Sequence, residues 1–271
     1  MLIYEPWQLP FHATAKSETN EMNPMINSVK EPEASNRARF VDAFRTLLPT
    51  VAFVAVIWSV SSGGYYALVN AIALDSGYDD APLLFAGYYL IWTVAVLLAF
   101  RPVFKGQLSR PALSGHAVAL TPVLVGYGLF VAVALPLLPD VSVYRAPSDP
   151  PEFMFATAWY YLPKSADILF QQVLVATIVL RADRARMSLW GISIMMGILF
   201  GGFHLTLSLD GFLLPYVARF TIAASIFGLV IPWLYLRTRH GFRWAYGLHW
   251  GFYALDAALT HILLAVPKWA M

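Results

Sequence analysis

The sequence predicts an all-α, polytopic transmembrane bundle of about seven helices with a cytoplasmic N-terminus. Three observations predict it. Of 271 residues, 59% are hydrophobic and 13% charged, about half the ~25% charged share usual in soluble proteins. The apolar residues stand in blocks rather than at amphipathic spacing, several of them ~20 residues long, enough to cross ~30 Å of hydrocarbon. Nine Trp, fourteen Tyr and eighteen Phe supply the aromatic side chains that favour membrane interfaces.

The same composition excludes several classes of function. Basic residues fall in short loops and not in a stripe, so a nucleic-acid partner is not expected. Without cysteine there is no disulfide, thiolate metal site or cysteine nucleophile. The N-terminus is mixed and charged, without the pattern of a cleavable signal peptide, which leaves the first apolar block as the insertion signal. Membrane lipid is the implied surrounding, in a multi-pass protein of the cell (inner) membrane.

Taken in order, residues 1–45 are polar and rich in Glu, Asn, Ser and Pro. They offer too little apolar surface to offset ordering and predict a cytoplasmic tail without fixed structure. Residues 46–139 hold three spans, at 47–73, 82–100 and 116–138, which read as scaffold. Residues 140–164 contain four prolines and the stretch FMFATAWYYLP, which suits an interfacial or re-entrant loop. Four further spans follow within 165–267, at 165–180, 188–207, 213–236 and 244–266. The fourth span is the weakest, because its apolar run is short and carries Asp167, Gln171 and Gln172.

Loop charge tests the count independently. Lys30, Arg37, Arg39 and Arg45 precede span one, and Arg101, Lys105 and Arg110 separate spans two and three. Arg181, Arg184 and Arg186 follow span four, while Arg237, Arg239 and Arg243 follow span six. The alternate loops are poor in bases; Arg145 and Lys164, in 139–164, face Asp140, Asp149 and Glu152. Seven spans place every basic cluster on the cytoplasmic side, and removing span four breaks that alternation.

Ionisable side chains within spans are costly and mark sites. They gather in the last four. Asp167 and Gln171 share a face of span four, with Gln172 beside them. Span five reads GILFGGFH, with Phe200 four residues before His204 and the small-xxx-small pair Gly197 and Gly201. Span six carries Arg219, which can snorkel or pair with Asp256 or Asp210. Span seven aligns His249, Tyr253 and Asp256 on one face. Two intramembrane histidines with acids suit a water-activating site, with or without a metal, or a proton path.

At these residues the chain resembles the CPBP group, the CAAX-protease and bacteriocin-processing membrane proteins that include the type II CAAX prenyl endopeptidases. FGGFH matches the family's FxxxH motif, and LYLRTRHGFRWAYGLHWGFYALD resembles its last-motif region, leading to His249; together the likeness covers roughly 160–265. The resemblance implies an intramembrane peptidase in which a glutamate and two histidines activate water. His204 and His249 carry over as catalytic or metal-ligating positions, with zinc as the cofactor if the site is active. The glutamate pair does not carry over, since Gln171 and Gln172 stand there, Ala176 occupies the motif arginine and Tyr253 the asparagine. An amide neither accepts a proton at neutral pH nor carries charge.

Three readings follow. The first is a non-proteolytic homologue that binds or scaffolds a membrane-protein or peptide partner, with Phe200, Arg219, Tyr253 and Asp256 as binding residues. The second is an active peptidase with Asp167 or Asp256 as the displaced acid. The third is a small transporter or proton-conducting protein, which the lack of an evident internal repeat disfavours. Straight spans also place His204 near the outer end of span five and His249 near the inner end of span seven, more than ~15 Å apart. Tilted or broken segments can close that gap; otherwise the outer cluster is Asp167, Gln171, His204 and Arg219, with Asp256 and His261.

Overall fold

The computed structural model describes residues 33–75, 77–105, 110–142 and 156–265. Among them are seven long helices and no strand: α1 (Glu33–Ala71), α2 (Pro82–Ala99), α3 (Arg110–Leu129), α4 (Tyr161–Arg184), α5 (Leu189–His204), α6 (Leu214–Arg237) and α7 (Gly241–Leu263). Helix α3 is prolonged by a π-helical turn, Phe130–Ala134, and a 3-10 turn, Leu135–Leu137. Six segments, containing α1 to α6, are long and apolar enough to cross a membrane. This is a multi-pass integral membrane architecture. The seventh helix has the length, at 23 residues, but its Arg243, His249, Asp256 and His261 lower its apolar character.

Helix α1 begins at Glu33, so the tail expected over 1–45 is helical in its last part; residues 1–32 lie outside the described residues. Most of the interfacial loop expected over 140–164 also lies outside them, at 143–155. Its end is helical, because α4 starts at Tyr161 instead of 165 and runs on to Arg184.

That helix corrects the reading of span four as the weakest. It is the centre of the bundle, packed against α1, α2, α5, α6 and α7. In its most apolar window 78% of residues are buried, against 11% in α3. A helix that meets protein on all sides does not need a lipid-compatible surface, and it can hold polar side chains that face partners.

The closest pairing is α5 with α6. A Cβ added at Gly228 would meet the Met196 carbonyl oxygen at 2.5 Å and the Gly197 Cα at 2.8 Å, and one added at Gly201 would collide with the Ser225 hydroxyl. The small residues of α5 are where the neighbouring backbone comes close, as their spacing predicts. At one end of the bundle Arg184 donates to the carbonyls of Pro102, at 2.9 Å, and Val103, at 2.6 Å. This joins two of the basic loops on one side, as alternation of the loop charges requires. At the other end His261 Nδ1 donates to the Pro139 carbonyl at 2.8 Å.

Candidate functional site

The polar side chains of α4 form two groups. Lys164 Nζ donates to Asp167 Oδ2 at 2.9 Å, and Gln171 Nε2 donates to Asp167 Oδ1 at 2.8 Å. Helical spacings of three and four place the three on one face. All three are buried. The Lys164 ammonium also lies 4.3 Å from the centre of the Tyr253 ring, a cation–π contact that helps hold a charge away from water. Both oxygens of Asp167 are engaged, which leaves it poorly suited to act as a displaced general base.

Gln172, one residue on, points to a different neighbour. It is completely buried, with its Nε2 3.0 Å from His249 Nδ1 and its Oε1 accepting from the Tyr235 hydroxyl at 2.7 Å. With the amide nitrogen facing Nδ1, that ring nitrogen accepts, and neutral His249 carries its proton on Nε2. His204 has the opposite arrangement. Its Nδ1 lies 2.7 Å from the carbonyl oxygen of Phe200, one turn earlier in α5. A carbonyl only accepts, so Nδ1 bears the proton and Nε2 keeps a lone pair.

The two histidines meet at Phe200. Its ring centre lies 5.0 Å from that of His204 and 5.9 Å from that of His249, with Phe227 at 5.7 Å and Trp58 of α1 at 5.8 Å. The axial separation expected from straight spans is therefore corrected. Helix α7 begins at Gly241, earlier than the expected 244, which lifts His249 further along its helix. Phe227 of α6 touches both Phe200 and His249, at 5.7 and 5.0 Å, and brings them to one level. His204 then stands a single turn beyond Phe200.

Both histidines line a cavity of about 860 Å³ between α3, α6 and α7, capped by the end of α5. Phe200 and Tyr253 line it as well, and Tyr253 stacks on His249 at 5.8 Å. Gln171, Gln172, Asp167, Arg219 and Asp256 are not among its lining residues. Arg219 pairs with Asp256 across α6 and α7. The arginine is 48% exposed along its side chain while the aspartate is buried.

Zinc does not fit this donor set. A catalytic zinc takes three protein ligands, and among the described residues no three His, Cys, Asp or Glu side chains gather. His249 Nδ1 is engaged by Gln172, and neither Asp167 nor Asp256 lines the cavity.

Several participants are absent from the sequence reading. Lys164 reads in the sequence as a loop charge and is a buried partner of Asp167; its three-residue spacing from Asp167 is the local signal for the pair. Tyr235 carries no local signal, since its partner lies 63 residues away. Residues of the first three spans also reach the site. Trp58 stacks on Phe203 at 3.7 Å, and Tyr127 of α3 lines the cavity and donates to the Gly247 carbonyl at 2.5 Å. No family model matches the chain, and no curated protein or solved structure matches it.

Proposed function

We propose that the chain is a non-proteolytic, CPBP-like integral membrane protein that binds a membrane partner in the cleft between α3, α6 and α7. In this reading the basic loops hold the N-terminus in the cytoplasm of a cell with its bundle in the cell (inner) membrane. One observation carries the proposal: the amide of Gln172 fills the place beside His249, held from its other side by Tyr235. Among the described residues no carboxylate lines the cleft to take a proton from a water bound at the histidines. The cleft falls within the ~300–1,000 Å³ of ligand sites, and its mostly apolar wall with few polar groups suits binding.

The test has two arms on the full-length protein. In liposomes, transmembrane peptides incubated with it are expected to keep their intact mass. Gently solubilised from native membranes, it is expected to carry additional bound mass that Leu248→Trp, at the cleft mouth, removes. Peptide cleavage that His204→Ala abolishes would overturn the proposal, and so would a protein that always runs alone.

A further inference from the structure

The chemistry of the cleft narrows the class of its occupant. Its back is formed by buried Phe200, Phe220, Ala224, His249 and Tyr253, and its mouth by exposed Ile226 and Val230 of α6 with Leu248 and Leu255 of α7. These mouth residues lie far from the helix ends. At 1.5 Å per residue, Leu248 is ~10 Å from the start of α7 and Leu255 ~12 Å from its end. Val230 is likewise ~10 Å from the end of α6. A mouth at that depth opens sideways onto hydrocarbon, so whatever enters comes from the bilayer.

Hydrocarbon alone would not satisfy the back wall. His204 and His249 each bond through Nδ1. Among the described residues neither Nε2 has a hydrogen-bond partner. Unmade bonds of this kind carry a cost in an apolar site. From its two histidines the wall therefore offers an acceptor, His204 Nε2, and a donor, His249 Nε2–H. Among the described residues that line the cleft there is no Asp, Glu, Lys or Arg to meet a charged head, and Arg219 and Lys164 nearby are held by Asp256 and Asp167. A hydroxyl combines both capacities in one small neutral group: its O–H can donate to His204 and its oxygen can accept from His249, the two rings lying 5.0 and 5.9 Å from that of Phe200.

We propose that the cleft binds a neutral long-chain alcohol, a lipid ending in a free hydroxyl that enters laterally and seats that hydroxyl between His204 and His249. The proposal rests on the reading of the cleft as a binding site and names what it selects. Its test uses full-length protein in phosphatidylcholine liposomes with a long-chain alcohol bearing a diazirine near the hydroxyl, crosslinks being mapped by peptide mass. Labelling is expected on α5 and α7. Unlabelled alcohol should compete ~10-fold better than its methyl ether, which cannot donate, and better still than the alkane. His204→Phe and Leu248→Trp should each lose labelling while keeping native helix content.

Equal competition by the alkane, stronger competition by the matching carboxylate, or labelling unchanged in both variants would overturn the alcohol assignment. If another species occupies the cleft in native membranes and the alcohol does not displace it, the alcohol assignment falls and the binding reading stands. If Leu248→Trp changes neither labelling nor the mass bound in native membranes, both fall.

Discussion

Along α4, Lys164, Asp167 and Gln171 satisfy one another, whereas His204 and His249 each spend one ring nitrogen on the protein and leave the other to the cleft. Both clusters place costly groups in a membrane protein's interior. The first is closed and stabilises a central helix; the second is open and has capacity left for a ligand. Residue type alone would have ranked them the other way, since the carboxylate stands in the closed group. What separates a structural polar cluster from a functional one here is the hydrogen-bonding capacity that remains after packing.

The largest expected effect comes from breaking the closed cluster. Lys164→Met leaves Asp167 buried without its cation, and should destabilise the protein by about 3–5 kcal/mol, read as a fall in the unfolding midpoint in detergent. A midpoint unchanged from the native protein would mean that the pair is not closed. Gln172→Leu should cost less, about 1–3 kcal/mol, by stranding His249 Nδ1 and leaving the Tyr235 hydroxyl only its longer bond, 3.1 Å, to the backbone carbonyl of residue 172. Tyr235→Phe in the same background should then recover part of the loss, which a double-mutant cycle measures. Arg219→Gln should cost about 1–2 kcal/mol in the same unfolding assay: Asp256 stays buried without its cation, but half of the arginine side chain is already exposed and the amide can still donate to the carboxylate. Smallest of all is His204→Phe, expected to change stability by no more than about 0.5 kcal/mol. A large loss there would move His204 into the closed, structural class.

The seven helices were legible because most of the bundle's surface faces lipid and must be apolar along its whole length. The same rule misjudged α4, which is shielded by other helices and is free of that demand. Local spacing was also readable: Asp167 with Gln171, Phe200 with His204, and Gly197 with Gly201 all lie within one helix. Arg219 was legible as a charge needing relief, by snorkelling or by Asp256 or Asp210, and the fold makes Asp256 its partner. The contact of Gln172 with His249 spans 77 residues and depends on where two helices start and how deep they sit. Nothing in the local pattern fixes that. For the same reason Gln172, and not Gln171, stands beside the histidine.

The central claim is that the cleft presents an acceptor and a donor to the bilayer, set by opposite tautomers of two histidines. Ring ¹⁵N shifts of histidine-labelled full-length protein in lipid bilayers test it directly, with resonances assigned by single substitutions. The account predicts His204 protonated at Nδ1 and His249 at Nε2 at neutral pH. Matching tautomers, or a doubly protonated ring at either position, would contradict it.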